Sequence, residues 1–193
     1  MKYADARGQL NDFRRQIGDL RSRMRETLAA IEPQEVADYE FTTADGPVRL
    51  SALFGSQPEL ILVHNMGASC AYCTLWADGY NGVHRHVVRR AAFAVSSPDT
   101  PDVQRRLAAS REWRFPMVSH RGTTFAADMG FKSGEGHWLP GVSVFKRDGA
   151  RIVRVSDAGF SPGDDYCVLW HFFDLLPGGA RGFEAESKPA CAH

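Results

Sequence analysis

Apolar residues recur along the N-terminal segment at alternating three- and four-residue steps: Leu10, Phe13, Ile17, Leu20, Met24, Leu28 and Ile31. That spacing lays a single apolar stripe along a helix. Arg14, Arg15, Arg21, Arg23 and Arg25 take the other faces, and Pro33 ends the segment. The near-heptad seam suits packing on the helix's own domain or contact with a second copy, which makes a homodimer a candidate partner arrangement. Asp5, Asp12, Asp19 and Glu26 dilute the positive charge and disfavour a membrane-surface helix.

After the helix the pattern changes. Residues 39–42 and 48–50 are short extended pieces around the turn signal Asp45-Gly46-Pro47. Residues 59–66 form an apolar strand. Leu75, Trp76, Tyr80, Val83 and Val87 follow at helical spacing, and residues 91–96 are a continuous apolar run, hence a strand buried on both faces. Residues 101–111 read as a helix opened by Pro101. Residues 115–119 are extended, and 123–131 form a loop with one helical turn. Residues 142–145 and 152–155 flank Arg147-Asp148-Gly149 as a hairpin. A last helix is expected over 164–176, closed by Pro177-Gly178-Gly179. Parallel strands joined by helices and followed by an antiparallel pair predict an α/β fold, a mixed sheet flanked by helices. The expected organisation is an N-terminal amphipathic helical extension (1–35), a domain (36–178) and a flexible C-terminal tail (179–193).

Charge and composition narrow the function classes. The 193 residues carry 23 Lys+Arg against 23 Asp+Glu, so no basic footprint for nucleic acid stands out. No apolar run reaches membrane-spanning length, and the N-terminus lacks the apolar core of a secretory signal. A cytoplasmic location is expected. Four cysteines in this length do not make a disulfide scaffold. Cys167, beside Val168, Leu169 and Trp170, reads as a buried small hydrophobe.

The remaining pair, Cys70-Ala71-Tyr72-Cys73, follows strand 59–66 and a Gly67-Ala68-Ser69 loop, and opens the next helix. A thiol attacks a disulfide or peroxide only as its thiolate. Unpaired N–H groups and the macrodipole at a helix start stabilise that anion. Cys70 is therefore the expected nucleophile, with Cys73 one turn further in as the resolving thiol. Around the pair, His64 is either a proton carrier or a sheet hydrogen-bonding group. Tyr72 and Trp76 either shape a substrate surface or pack in the core. Asp78 is either a proton acceptor for Cys73 or a surface charge. A C-x-x-C also supplies half of many zinc sites, with His64, His84 or His86 as further ligands. His84 and His86, however, point about 200° apart on a helix.

The run Cys70-Ala71-Tyr72-Cys73-Thr74-Leu75-Trp76-Ala77-Asp78, then Gly82, resembles the C-x-x-C-x-x-W-A-D segment of the domain-of-unknown-function family numbered 899, predicted dithiol–disulfide oxidoreductases. Residues 115–119 with Gly122, Phe125, Asp128 and Gly130, and residues 140–145 with Arg147-Asp148-Gly149, fit the same family in the same order. The resemblance spans about residues 53–176 and implies a thioredoxin-like fold. It adds Pro140, at the position of the proline that precedes the strand beside a thioredoxin dithiol; a cis and a trans bond are both compatible with its neighbours. The Trp and Gly-Pro of thioredoxin are replaced by Ser69 and Ala71-Tyr72. The Pro and Thr or Ser that precede a peroxidatic cysteine are absent from both registers, which give Val63 and Gly67, or Met66 and Cys70. The leading expectation is a thiol–disulfide oxidoreductase. It acts on a protein or small-molecule disulfide, is recharged by a cellular thiol reductant, and needs neither organic cofactor nor metal. The alternatives are a thiol peroxidase resolved by Cys73 or Cys191, a metal-binding module of Cys70, Cys73 and a histidine, and a binding domain without chemistry.

Overall fold

The structure, a computed structural model, describes residues 1–186. The chain divides into two units, Met1–Gln34 and Glu35–His193. The first is one α-helix, α1 (Tyr3–Ala29), in which no residue is buried.

The second is built on one mixed sheet. Its strands are β1 (Gln34–Val36), β2 (Glu40–Thr43), β3 (Gly46–Arg49), β4 (Glu59–His64), β5 (Ala92–Ser97), β6 (Met117–Ser119), β7 (Gly141–Asp148) and β8 (Arg151–Gly159). They lie in the order β1-β8-β7-β4-β5-β6-β2-β3. β4, β5 and β6 run parallel, joined by α2 (Ala71–Val87) and α3 (Pro101–Ser110). β7 pairs antiparallel with β4 and with β8. Two short helices, α4 (Phe125–Asp128) and α5 (Val168–Phe173), complete the unit.

Both sheet faces are covered, which is why the central strands read as unbroken apolar runs. Along β4, Leu60 and Leu62 join a core with Phe41, Phe125 and Phe145. Ile61 and Val63 face the opposite core, built on Trp76, Phe93, Val95 and Trp170. His64, at the end of β4, belongs to the first face: its ring stacks on Phe131 at 3.9 Å and on Phe125 at 5.3 Å.

Three elements depart from the sequence pattern. β1, one of the two edge strands, is not expected from the sequence; three residues of mixed polarity carry no periodic signal. The last helix is expected over 164–176 but spans only Val168–Phe173. Asp164 explains the late start. Its carboxylate accepts the backbone N–H of Ser161 (3.1 Å) and of Tyr166 (2.9 Å), holding a turn in place of a first helical turn. The expected tail from residue 179 is packed at its start: Phe183 meets Trp170 at 5.9 Å and Phe173 at 4.9 Å between ring centres. The rest of that expectation, with Cys191, lies outside the described residues.

Candidate active site

The dithiol sits where β4 hands the chain to α2, at the C-terminal end of the parallel strands. The connection must reverse the chain within a few residues, and side chains rather than a long loop hold it. Asn65 Oδ1 accepts the Gly67 N–H at 2.7 Å, and Asn65 N–H donates to the Ser96 carbonyl at 2.9 Å. Gly67 has φ +110°, a left-handed conformation that disfavours any side chain, and a Cβ there would also lie 3.1 Å from Asp99 Oδ1. Asp99 Oδ2 accepts the Ala68 N–H at 2.9 Å and the Ser97 hydroxyl at 3.0 Å. Buried Gln104 of α3 donates to Ser97 Oγ and to the Val118 carbonyl, both at 2.9 Å. The loop before the dithiol is thus tied to β5, β6 and α3.

Cys70 is the N-cap of α2. Its Sγ accepts the Cys73 N–H at 3.1 Å, and its carbonyl accepts the N–H and hydroxyl of buried Thr74. The side chain is half-buried, so a partner can reach it. Its pKa is lowered to about 7, chiefly because the Cys73 thiol donates to its sulfur, with backbone N–H groups of Cys73 and Tyr72 adding to the effect against the cost of burial. Cys73 is 2% exposed, and its Sγ accepts the Met66 N–H at 3.4 Å. Its pKa is raised far above that of an ordinary thiol, first by the hydrogen bond to Cys70 and then by burial, with the Asp99 carboxylate contributing. The pair is therefore asymmetric: the accessible sulfur loses its proton around neutral pH, and the buried one keeps its proton.

The other sequence candidates separate. Tyr72 lies between Trp76 (6.3 Å) and Trp170 (6.2 Å), partly buried beside the dithiol. Trp76 is a core residue, 2% exposed, whose Nε1 donates to Asp164 Oδ1 at 3.4 Å. Asp78 does not serve Cys73. Its carboxylate accepts from Trp113 Nε1 at 2.8 Å and pairs with the Arg111 guanidinium at 2.5 Å. The carboxylate that supports the site is Asp99, through the loop before the dithiol, and sequence reasoning missed it. The available signal was an acid two residues past the end of the strand adjacent to β4. His64 faces the core opposite α2, with Nε2 at 2.9 Å from Ser143 Oγ, so it takes the sheet hydrogen-bonding role. Cys70, Cys73 and His64 do not converge, and among the described residues no three His, Cys, Asp or Glu side chains are grouped to hold an ion. Pro140 enters β7 through a trans bond, and its carbonyl accepts the Phe160 N–H at 2.9 Å. Cys167 is buried among Trp170 and Phe160, as expected.

His64 and the neighbouring His120 form a second buried polar feature. His64 Nδ1 and both ring nitrogens of His120 have no hydrogen-bond partner among the described residues. Burial, with the like charges of His120 and Arg154, lowers the His64 pKa to about 3. Burial and Lys132 lower that of His120 to about 4. Both are neutral when folded, whereas in the unfolded chain they protonate near pH 6.5. The unfolded state thus binds more protons below that pH, and stability falls as pH drops from 6.5 toward 4 and, for His64, on toward 3. Thermal melts at pH 7 and pH 4.5 are expected to show this loss. His120→Phe, which fills the same space beside Trp138, is expected to flatten part of the slope.

The doubly covered mixed sheet and the cysteine pair at the start of α2 define a thioredoxin-like domain carrying a dithiol. The chain belongs to the family described as "Bacterial protein of unknown function (DUF899)", which matches residues 9–190. No curated protein matches it. Among solved structures it is similar to the peroxidoxin BcpB of Mycobacterium tuberculosis, at 27% identity over 67% of this chain and 86% of that one, with a TM-score of 0.55. It is similar in fold to peroxiredoxin Q of Xanthomonas campestris (15% identity, 63% of this chain and 80% of that one, TM-score 0.55). The reduced Prx3 of Vibrio vulnificus, in complex with H2O2, is likewise similar in fold (14% identity, 69% and 90%, TM-score 0.55). No described helix is long and apolar enough to cross a membrane.

Proposed function

We propose that this chain is a thiol–disulfide oxidoreductase of a reducing cytoplasm, with Cys70 as nucleophile and Cys73 as resolving thiol. The observation that carries this reading is the half-buried Cys70 sulfur capping α2 and accepting the Cys73 N–H at 3.1 Å. The likeness to a peroxidoxin at 27% identity supports thiol-based redox chemistry in general.

In the proposed reaction the Cys70 thiolate attacks one sulfur of a protein or small-molecule disulfide. A mixed disulfide forms and one substrate thiolate departs. Cys73 then attacks the Cys70 sulfur, its proton passing to the departing thiolate, and the second substrate thiol leaves. The substrate gains two electrons and the pair becomes a disulfide. A cellular thiol reductant reverses that oxidation. No organic cofactor or metal enters either step.

Cys73→Ser tests the order of events. The variant is expected to accumulate a mixed disulfide on Cys70 with a model disulfide, detected by mass spectrometry, while turnover falls about 100-fold or more. Accumulation on Cys73 in a Cys70→Ser chain instead would reverse the assignment.

The likeness to BcpB also favours a second reading, a thiol peroxidase. The missing Pro and Thr or Ser upstream of either cysteine argue against efficient peroxide reduction. Peroxide consumption as fast as disulfide reduction would favour the peroxidase.

A further inference from the structure

Every large apolar side chain of the α1 stripe is open to solvent. Leu10, Phe13, Ile17, Leu20, Met24, Leu28 and Ile31 are each between 43% and 63% exposed. A helix of this length with a wholly uncovered stripe calls for a covering surface.

The polar positions of α1 say what covers it. Leu10, Ile17 and Met24 recur at steps of seven, with Phe13 and Leu20 between them as the second half of a heptad seam. The polar rows keep the same period. Arg7, Arg14 and Arg21 line one edge of the seam, one position beyond the Phe13 and Leu20 row. Gln9, Gln16 and Arg23 line the other edge, Arg23 at the level where the arginine row has given way to Leu28, and the row outside them is acidic: Asp5, Asp12, Asp19 and Glu26. A seven-residue period held by the seam from Leu10 to Met24, and by the arginine and acidic rows beside it, is the signature of a left-handed coiled coil rather than of packing on a globular core. Packing on lipid would need neither an acidic row nor fixed edges.

The two edges differ, and this selects an orientation. In a parallel pair the right edge of each helix meets the left edge of its partner. Arg14 and Arg21 of one copy then lie against Gln9 and Gln16 of the other, and Arg23 lies against Leu28, with the acidic row behind that edge. In an antiparallel pair arginine row meets arginine row, and the like charges repel. The parallel arrangement is closed by one two-fold axis and uses the same surface on both copies.

We infer that α1 is a dimerisation helix that pairs in parallel, in register, with α1 of a second copy of this chain. The inference is independent of the dithiol chemistry.

Sedimentation equilibrium of the full chain tests it. The expected mass is twice 21.4 kDa. Ile17→Asp with Leu20→Asp is expected to raise the dimer dissociation constant about 100-fold or more, by burying charge in the seam. Orientation is tested by Leu10→Cys in the otherwise native chain. Residue 10 is far from the midpoint of the seam, so only parallel, in-register helices bring its two copies together. Mild oxidation is expected to give a residue-10 to residue-10 cross-link, identified by mass spectrometry. A monomer at all concentrations would overturn the inference, as would a dimer untouched by the double substitution or a seam that cross-links residue 10 only to other sites. A native chain that stays monomeric and binds anionic vesicles would transfer α1 to the membrane.

Discussion

Cys70→Ser is expected to lower disulfide reduction by about 1,000-fold or more, to the background of the uncatalysed exchange, in an insulin- or glutathione-coupled assay. A serine hydroxyl does not ionise near neutral pH and forms no disulfide, so both proposed steps are lost. The substitution leaves the scaffold in place. Serine is a favoured N-cap, and its oxygen can accept the Cys73 N–H that Cys70 Sγ accepts now. Unchanged thermal stability alongside lost activity would therefore localise the effect to the sulfur. Full activity in this variant would remove Cys70 from the mechanism.

The largest loss of stability is expected at Trp76, one turn beyond Cys73. The indole is 2% exposed and lies against Phe160, with ring centres 5.5 Å apart. Its Nε1 reaches Asp164, the residue that also holds the turn before α5. Trp76→Ala deletes this contact and leaves a cavity between α2 and the sheet. It is expected to cost about 3–5 kcal/mol in a urea titration. Because α2 positions both thiols, activity is expected to fall with the folded fraction. Trp76→Phe keeps most of the volume and loses only the N–H, so it is expected to recover most of the stability. An alanine variant as stable as the parent would show that Trp76 belongs to a substrate surface rather than to the core.

Much of the fold was legible because its central elements announce themselves by period. The seven-residue spacing of α1, the unbroken apolar runs of β4 and β5 and the turn of the β7–β8 hairpin are local signals. What the sequence hides is tertiary. β1 exists because β8 offers an unpaired edge, a property of another part of the chain. α5 starts late because Asp164 spends its carboxylate on a turn, an outcome that helical propensity cannot forecast.

The site divides the same way. The cysteines and their order along α2 come from one tetrapeptide, and the helix start supplies the physics. The supporting groups do not. Asp78 sits five residues after Cys73, yet Arg111 and Trp113 claim its carboxylate. Asp99 lies 26 residues after Cys73, yet it holds the Ala68 N–H and faces Gly67. His64 precedes the pair by six positions, but the two-residue period of β4 turns it to the opposite face. Sequence distance is a poor guide to which carboxylate or imidazole a thiol meets, because strand alternation and chain crossover decide it.

The central claim is that the Cys70 sulfur is an anion near neutral pH while Cys73 keeps its proton. Alkylation of the reduced protein by iodoacetamide, followed across pH 5–10 with each cysteine quantified by mass spectrometry, measures this directly. The account predicts that labelling of Cys70 rises with a midpoint near pH 7, and that Cys73 stays unlabelled over the whole range in which Cys70 reacts. A Cys70 midpoint near that of a free thiol, about 8.5, or labelling of Cys73 ahead of Cys70, would contradict it.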